Sequence, residues 1–557
     1  MVSEKTKLLA IHSGCLLFIL AYAIFQVVEW RHISHSIDLI SYLDVGNAYW
    51  RGDFQHAINH YWSPMYSWLL GGVLAVFKPD IDHEMLAVRL TNLFVLCSFV
   101  SVSLCFSSTL WRRIAALDLG WLTKPTFWIY MYSVIAVSAL MLGGCDKDTP
   151  DMLVATFVML ASNALLKIQM GEKRNRNFAI MGATLGCGYL AKAVLLPVSL
   201  FYYLLAWWSV RNERNWWKGF MFAAAVQLCI AGPFIAAISV SFGHPTISDS
   251  TRTLSLYSNN QNDQQVHFQF PELKHKSNKI FEKPDVYEFD DAAIGGTYPP
   301  WYNPAYWTEG APGHDVAGRA IDFAIKNIKY FALEIFGVLL VAYALSSLWL
   351  RRSIFTRAGF ADAMPIALPG LVAVGIYAVT VNLWGHFMER YFVAWIVLIY
   401  SGAIVAVRPP GTKNGGVAAR MFCGTICSLS MCLLLMGLWM HKKMFDLFPT
   451  KLDEPIAHAI QDAGLKPGDK IAQLGFRRYF WARLARVRII ADIFDVEGFW
   501  QLSPARKQEL IEVLRQHNVK AIVQTWAVDR EIAEPGPGWT RIPGTKGLIY
   551  LIPEKTQ

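Results

Sequence analysis

The repetition of long apolar segments restricts the fold of this chain more than any other feature of its sequence. Blocks of roughly 18 to 25 apolar residues recur along most of the chain, and about 20 residues of α-helix are needed to cross a bilayer. Only 17% of the 557 residues are charged, whereas soluble domains contain about 25% charged residues. The sequence therefore predicts a polytopic α-helical membrane protein and argues against a soluble globular enzyme.

The distribution of basic residues argues against a nucleic-acid partner and orients the chain in its membrane. Although the net charge is +9, the lysines and arginines lie in short clusters between apolar blocks, as they do in cytoplasmic loops. The first block, residues 8–28, follows Lys5 and Lys7 and lacks a cleavage pattern, so we expect an uncleaved anchor. The expected location is the inner (plasma) membrane, with membrane lipids around the helices.

The alternation of apolar blocks and basic clusters predicts about eleven transmembrane helices, with the C-terminus outside. Residues 63–77 would span only about 22 Å as a helix, so we expect them to lie on the outer surface or to form a re-entrant segment. The predicted spans are residues 8–28, 86–110, 127–143, 152–166, 178–191, 194–208, 220–241, 330–350, 363–383, 391–407 and 421–440.

Two external loops and an external domain complete the expected organisation. The first external loop covers residues 29–85, and the large external loop covers residues 244–327. Long loops in compact proteins are usually functional or disordered, and the aromatic run GGTYPPWYNPAYW in the large loop predicts an ordered lid. We therefore expect a transmembrane module of residues 1–445 followed by an external domain of residues 450–557.

The external domain shows short strand patterns and one helical pattern, which is typical of a small α/β domain. It contains no glycine fingerprint and no paired-acid motif, so we expect it to be accessory. The expected strands cover residues 470–474, 487–491, 521–524 and 548–552, and the expected helix covers residues 504–517.

The first external loop carries a candidate catalytic carboxylate. Asp38 and Tyr42 share one helical face at i, i+4, directly after the first membrane span. A carboxylate at a membrane surface is costly unless it is solvated or used, and Asp38 could take a proton from an acceptor hydroxyl or amine. The alternative is a solvated polar loop.

A second acidic group lies in the segment CDKDTPD, at the mouth of two predicted helices. Asp146, Asp148 and Asp151 could together bind a divalent cation. Alternatively, Asp148 or Asp151 could cap the helix that follows. The expected topology places this group and Asp38 on the same side of the membrane.

Two cations are candidates for binding a lipid phosphate at headgroup depth. Lys192 stands alone in the apolar hairpin GYLAKAVLLP, and Arg390 lies in HFMERYF, which is also expected to be external. Lys192 could instead extend to the interface as an anchor, and Arg390 could form an ion pair with the neighbouring Glu389.

The order of these features resembles the C-type superfamily of membrane glycosyltransferases. The resemblance rests on the external Asp-x-x-x-Tyr, the segment YWSPMYSWLL, the pair Pro150 and Asp151, and the segments GCGYLAKAVLLP and ERYF. Within the superfamily, the chain is most similar to glycosyltransferase family 39, which contains bacterial protein mannosyltransferases and aminoarabinose lipid A transferases. The resemblance covers roughly residues 1–440 and implies the same fold.

The resemblance also implies an activity. A sugar would move from a polyprenyl-phosphate donor to a lipid, glycan or protein acceptor on the external, periplasmic face. Asp38 would be the general base and Asp151 a second catalytic acidic residue, while Lys192 and Arg390 would stabilise the leaving phosphate. Tyr42 would contact substrate, and the segment 298–307 would cover the sugar through Trp301, Tyr302 and Trp307.

The alternative function is a lipid or glycan transporter or flippase. Such proteins tend to contain inverted repeats and interrupted helices near the middle of the membrane. No internal repeat is obvious in this sequence, and the ionisable residues cluster at the outer face. The sequence therefore favours the transferase.

Overall fold

The structure of the protein is a computed structural model that describes most of the chain. The described residues are 3–33, 37–117, 119–172, 174–213, 215–250, 278–288, 302–303, 321, 323–327, 330–331, 333, 336–380, 389–447, 453–475, 480–525 and 536–553.

Helices account for most of the described residues, and a single sheet contains the strands. In chain order the α-helices are α1 (Glu4–Glu29), α2 (Ile37–Arg51), α3 (Phe54–Ala57), α4 (Pro64–Phe77), α5 (Glu84–Ala116), α6 (Lys124–Val137), α7 (Asp151–Gln169), α8 (Arg174–Ala191), α9 (Leu195–Val210), α10 (Trp216–Phe242), α11 (Gly337–Leu350), α12 (Arg357–Thr380), α13 (Val393–Ala406), α14 (Lys413–Leu447), α15 (Asp453–Asp462), α16 (Phe480–Ala485), α17 (Val496–Gln501) and α18 (Pro504–Gln516). A π-helix (Ser138–Gly143) follows α6, and a 3₁₀-helix (Glu389–Phe392) precedes α13. The strands are β1 (Asn278–Phe281), β2 (Val286–Glu288), β3 (Lys470–Leu474), β4 (Arg488–Ile493), β5 (Val519–Gln524), β6 (Trp539–Arg541) and β7 (Leu548–Leu551).

The chain forms two compact units. Unit 1 contains residues Met1–Val28, Leu90–Thr251 and Asp315–Met444. Unit 2 contains Glu29–Arg89, Arg252–His314 and Phe445–Gln557.

Long apolar helices confirm the multi-pass membrane fold. Among the described residues, eight helices are long and apolar enough to cross a membrane. The expected count of eleven is not confirmed, because the predicted spans at residues 178–191, 194–208 and 330–350 correspond to the shorter or more polar helices α8, α9 and α11. The eight are α1, α5, α6 with the π-helix, α7, α10, α12, the 3₁₀-helix with α13, and α14.

Small residues allow the helices of unit 1 to approach closely, which is the usual basis of packing inside a membrane. Gly182 on α8 faces the backbone of Ala223 on α10, where a Cβ atom would clash with the Ala223 carbonyl oxygen.

The start of α6 is marked by local signals in the sequence. The hydroxyl of Thr123, which immediately precedes α6, accepts a hydrogen bond from the backbone N–H of Thr126, and a proline occupies the first turn. The threonine cap and the proline determine where α6 begins.

In unit 2, helices α2 and α4 pack directly against each other. A Cβ atom on Gly71 would lie only 2.6 Å from the carbonyl oxygen of Gly46, so this contact requires glycine. The indole of Trp50 covers the same glycine and donates a hydrogen bond of 3.1 Å to the carbonyl oxygen of Trp68. The expected helix at residues 63–77 is thus present as α4.

The sheet of unit 2 has the strand order β1-β2-β4-β3-β5-β7-β6. Strands β4, β3 and β5 are parallel, and the outer pairs are antiparallel. The strands expected at the start, middle and end of the C-terminal domain are observed, as is the helix α18. The apolar core of this domain includes Leu474, Ile490, Phe499, Leu510 and Ile522.

Strands β1 and β2 bring part of the large external loop into this sheet. Val286, Tyr287 and Glu288 of β2 pair with Ile493, Asp492 and Ala491 of β4. The His517 imidazole at the end of α18 lies 2.7 Å from the Glu288 carboxylate and adds a second link. Residues 278–288 therefore belong structurally with the C-terminal domain.

Candidate active site

Three of the predicted site residues meet in unit 1. Asp151 begins α7 and is buried. The Lys192 ammonium donates a hydrogen bond of 2.6 Å to Asp151 Oδ1. The Arg390 Nε lies 3.3 Å from Asp151 Oδ2. We call Asp151, Lys192 and Arg390 the cation-rich cluster.

Aromatic rings support the two cations of this cluster. The Lys192 Nζ lies 3.8 Å from the centre of the Tyr391 ring, which is the geometry of a cation–π contact. Tyr391 stacks on the buried Tyr377, with 5.0 Å between ring centroids. Since Tyr391 directly follows Arg390 in the 3₁₀-helix, the stack also fixes the backbone that carries the arginine.

The charge balance of the cluster favours an anionic ligand. Two cations share one carboxylate, so the three side chains carry an excess of one positive charge. Both oxygens of Asp151 face cations, which suits this residue for holding Lys192 and Arg390 in place. The two cations are partly exposed, so a ligand can approach them from solvent.

Two buried amides position the segment that leads into Asp151. The Gln26 Nε2 on α1 donates to the carbonyl oxygen of Leu140 at 2.8 Å, and its Oε1 accepts from the backbone N–H of Cys145 at 3.1 Å. Asn92 on α5 donates to the carbonyl oxygens of Cys145 and Lys147, at 3.2 and 3.0 Å.

These amides were not singled out from the sequence. The signal that could have found them is a lone Gln or Asn inside an apolar span, since polar side chains there are costly unless they are used. The segment they hold follows the π-helix, a distortion that occurs frequently at functional sites. Gly144 begins it with φ = 71°, a conformation that favours glycine.

The other carboxylates of the acidic segment are buried as well. Asp146 and Asp148 are almost fully inaccessible, and the Asp146 carboxylate lies 3.3 Å from the Lys147 ammonium. Across the described part of the chain, no group of three or more His, Cys, Asp or Glu side chains is placed to hold a metal ion. A cation at Asp146 and Asp148 therefore stays a prediction from the sequence.

Asp38 and Tyr42 lie on α2, in unit 2. Asp38 is in the first turn, where the helix dipole favours a negative charge, and it is partly exposed. Tyr42 is buried, with its ring edge-on to Trp62 and Tyr66 at centroid distances of 4.9 and 5.1 Å. This aromatic packing fixes the Tyr42 ring, and a contact of Tyr42 with substrate stays a prediction from the sequence.

Of the three aromatic residues expected to cover the sugar, the structure describes one. Tyr302 is buried, and its carbonyl oxygen accepts a hydrogen bond of 2.5 Å from Asn59 Nδ2. The Asn59 Oδ1 in turn accepts from the backbone N–H groups of Tyr61 and Trp62. Trp301 and Trp307 lie outside the described residues.

A solved protein structure shares its fold with almost the whole of this chain. The chain is similar to the crystal structure of ArnT from Cupriavidus metallidurans bound to undecaprenyl phosphate. The TM-score is 0.51 with 12% sequence identity, over 98% of this chain and 99% of that chain. The sequence-based resemblance is therefore confirmed at the level of the fold.

Other comparisons are more distant. The Archaeoglobus fulgidus oligosaccharyltransferase in complex with Zn and sulfate gives a TM-score of 0.41 and 11% identity, over 91% of this chain and 67% of that chain. AglB from the same organism, in complex with an inhibitory peptide and a dolichol-phosphate, gives a TM-score of 0.38 and 11% identity, over 91% of this chain and 69% of that chain. No family model and no curated protein sequence matches the chain.

Proposed function

We propose that this protein is a membrane glycosyltransferase that moves a sugar from a polyprenyl-phosphate carrier to an acceptor on the periplasmic face of the inner membrane. The observation that carries the proposal is the cation-rich cluster, a partly exposed pair of cations held by one buried carboxylate. The shared fold supports it, because the ArnT structure contains undecaprenyl phosphate.

In this proposal, Lys192 and Arg390 bind the phosphate of the carrier. A guanidinium and an ammonium together offer several charged donors to phosphate oxygens, and such hydrogen bonds are the stronger kind. Asp151 fixes both cations before the donor arrives, so little ordering is needed on binding. The apolar tail of the carrier lies among membrane helices, where each buried CH₂ contributes about 0.8 kcal/mol.

Asp38 serves as the general base for the transfer. A hydroxyl or amine of the acceptor attacks the anomeric carbon of the sugar, while Asp38 takes the proton that this group loses. The bond between the anomeric carbon and the phosphate oxygen breaks, and its electrons leave with the polyprenyl phosphate. Lys192 and Arg390 stabilise the negative charge that develops on this leaving group.

Activity with defined donors tests the proposal. Purified protein in lipid is incubated with radiolabelled polyprenyl-phosphate sugars and with lipid, glycan or protein acceptors. We expect label on an acceptor for at least one donor, and much slower labelling with Asp38→Asn. Label that crosses the bilayer while still attached to its carrier would instead indicate a flippase.

The external position of the C-terminal domain can be tested in intact cells. A cysteine introduced as Lys507→Cys lies on α18, in the C-terminal domain. We expect this cysteine to react with a membrane-impermeant thiol reagent before lysis. The matched control is the protein without the added cysteine, and reaction only after lysis would place this domain in the cytoplasm.

A further inference from the structure

A buried arginine in the C-terminal domain forms ion pairs with two carboxylates of the first external loop and the helix that follows it. The Arg483 Nη1 donates to Asp44 Oδ1 at 2.5 Å, and its Nε donates to Glu84 Oε1 at 2.9 Å. Asp44 lies on α2, Glu84 begins α5 and Arg483 lies on α16, all within unit 2. We call these three residues the acid-rich cluster.

Burial makes this cluster sensitive to the loss of Arg483, the one cation among its three members. An ionised group taken out of water is costly unless it is paired and hydrogen-bonded, and removal of one partner leaves an uncompensated charge. The backbone of α16 is itself held, because the N–H of Trp481 donates to Asp453 Oδ1 at 3.2 Å. Arg483 therefore projects from a fixed position towards α2.

Two further contacts join the C-terminal domain to the same part of unit 2. The His32 imidazole, close before α2, lies 2.8 Å from the Glu454 carboxylate. The His458 imidazole lies 2.8 Å from the carboxylate of Asp82, close before α5. Helix α15 thus contacts both ends of the loop that contains α2, while α16 contacts α2 itself.

Helix α2 also carries Asp38, six positions before Asp44. A single α-helix of this length moves as a rigid rod, so a contact that fixes Asp44 also fixes the direction of Asp38. Packing of α4 against the other side of α2 limits its remaining freedom. The contact of the C-terminal domain with Asp44 therefore restricts movement of the helix that carries the proposed base.

We propose that Arg483 is a positioning residue, which holds α2 through Asp44 and so orients Asp38 for proton transfer. The inference rests on the proposed function only in assigning the base to Asp38. It gives the C-terminal domain, expected to be accessory, a direct role in turnover.

Three variants test this inference in the full-length protein. Arg483→Gln removes the charge, Arg483→Lys keeps it without the fork geometry, and Asp44→Asn removes only the end of the contact on α2. The matched control is Arg515→Gln, which breaks an ion pair within α18 alone. Amide hydrogen exchange of residues 37–51 and steady-state kinetics are measured for each.

We expect Arg483→Gln to speed exchange in α2 about ten-fold or more, because charged hydrogen bonds are lost. The kcat should fall about ten-fold or more, since misplacement of a reacting group by about 1 Å can cost as much as 10²-fold. The KM for the donor should stay unchanged, because Lys192 and Arg390 belong to unit 1. Asp44→Asn should give the same pattern more weakly, Arg483→Lys should recover part of kcat, and the control should match wild type.

Two results would overturn the inference. Unchanged α2 exchange in both Arg483→Gln and Asp44→Asn would show that the cluster does not hold the helix. Faster α2 exchange with wild-type kcat would show that the contact is structural only. Asp38→Asn separates the two claims: if that variant keeps its turnover, the proposed base is wrong, whatever the exchange of α2 shows.

Discussion

The cation-rich cluster and the acid-rich cluster have opposite compositions. In the cation-rich cluster of unit 1, one carboxylate faces two cations, and the side chains of Lys192 and Arg390 are 26% and 19% exposed. In the acid-rich cluster of unit 2, one guanidinium faces two carboxylates, and the side chains of Arg483 and Asp44 are only 6% and 2% exposed. The three side chains of the cation-rich cluster therefore carry a net positive charge, and its cations are partly accessible. Those of the acid-rich cluster carry a net negative charge and are largely buried.

The difference in charge and exposure suggests different roles for the two clusters, one in binding a ligand and the other in positioning a helix. A cluster with excess charge and reachable donors can accept a ligand of opposite sign, because the ligand completes the charge balance. A closed cluster whose members satisfy one another offers no such place, and its effect must pass through the helices it joins. We therefore assign phosphate binding to the first cluster and alignment of α2 to the second.

The largest expected effect comes from removing the proposed base. Asp38→Asn keeps the shape of the side chain but cannot accept a proton, so turnover should fall by roughly 10²-fold or more. Donor affinity should be preserved, since Asp38 lies outside the cation-rich cluster. Activity comparable to wild type in this variant would show that Asp38 is not the general base. Asp44 would then be the next carboxylate to test for that role.

A pair of matched substitutions contrasts the stability of the two clusters. Asp151→Asn removes the carboxylate charge that both cations face and should lower the free energy of unfolding by about 2 kcal/mol. This loss is smaller than the loss of about 3–5 kcal/mol expected when one partner of a fully buried ion pair is removed, because both cations are partly exposed to solvent. Asp44→Asn leaves Arg483 paired with Glu84, so its loss should be smaller. Thermal or denaturant unfolding in detergent measures both, and equal losses would contradict the contrast.

A smaller effect is expected from pH. Burial raises the pKa of Asp44 to about 6, because its effect exceeds the opposing effect of the Arg483 guanidinium, and the negative charge of Glu84 raises this pKa further. An unfolded aspartate titrates near 3.8, so the folded protein binds this proton more tightly. Stability should therefore decrease as the pH rises from about 4 to about 6 and should not change further above that.

The unfolding midpoints of wild type and Asp44→Asn, measured across this range, test the pH dependence. The asparagine variant cannot bind the proton, so we expect the wild type to lose stability relative to it as the pH rises. Parallel curves would show that Asp44 does not titrate in this range.

Much of the fold follows from local patterns. Long apolar blocks predict the long helices, and short, largely apolar runs predict buried strands such as β3 and β5, because both signals lie within one element. The expected topology places Asp151, Lys192 and Arg390 on one side of the membrane, but only the structure shows the ion pairs that join them. The number of spans was harder to predict, since α8, α9 and α11 are borderline in length or polarity.

The acid-rich cluster could not be predicted in this way. Arg483 lies 439 residues from Asp44 and 399 residues from Glu84, and nothing local in FWARLA marks a partner. The pairing of β2 with β4 is equally remote, and a strand of three residues has little signal of its own. Contacts of this kind depend on how distant segments fold together, which a single sequence does not reveal.

The binding of the lipid carrier itself tests the central claim most directly. Undecaprenyl phosphate, without a sugar, is titrated against wild type, Lys192→Met, Lys192→Arg and Arg483→Lys in the same lipid. We predict that Lys192→Met weakens binding by about 1.5–3 kcal/mol, the range for a hydrogen bond to a charged group. Lys192→Arg should recover part of this loss, and Arg483→Lys should bind as wild type does. Equal affinity in all four proteins would contradict the assignment and leave Lys192 as an interfacial anchor.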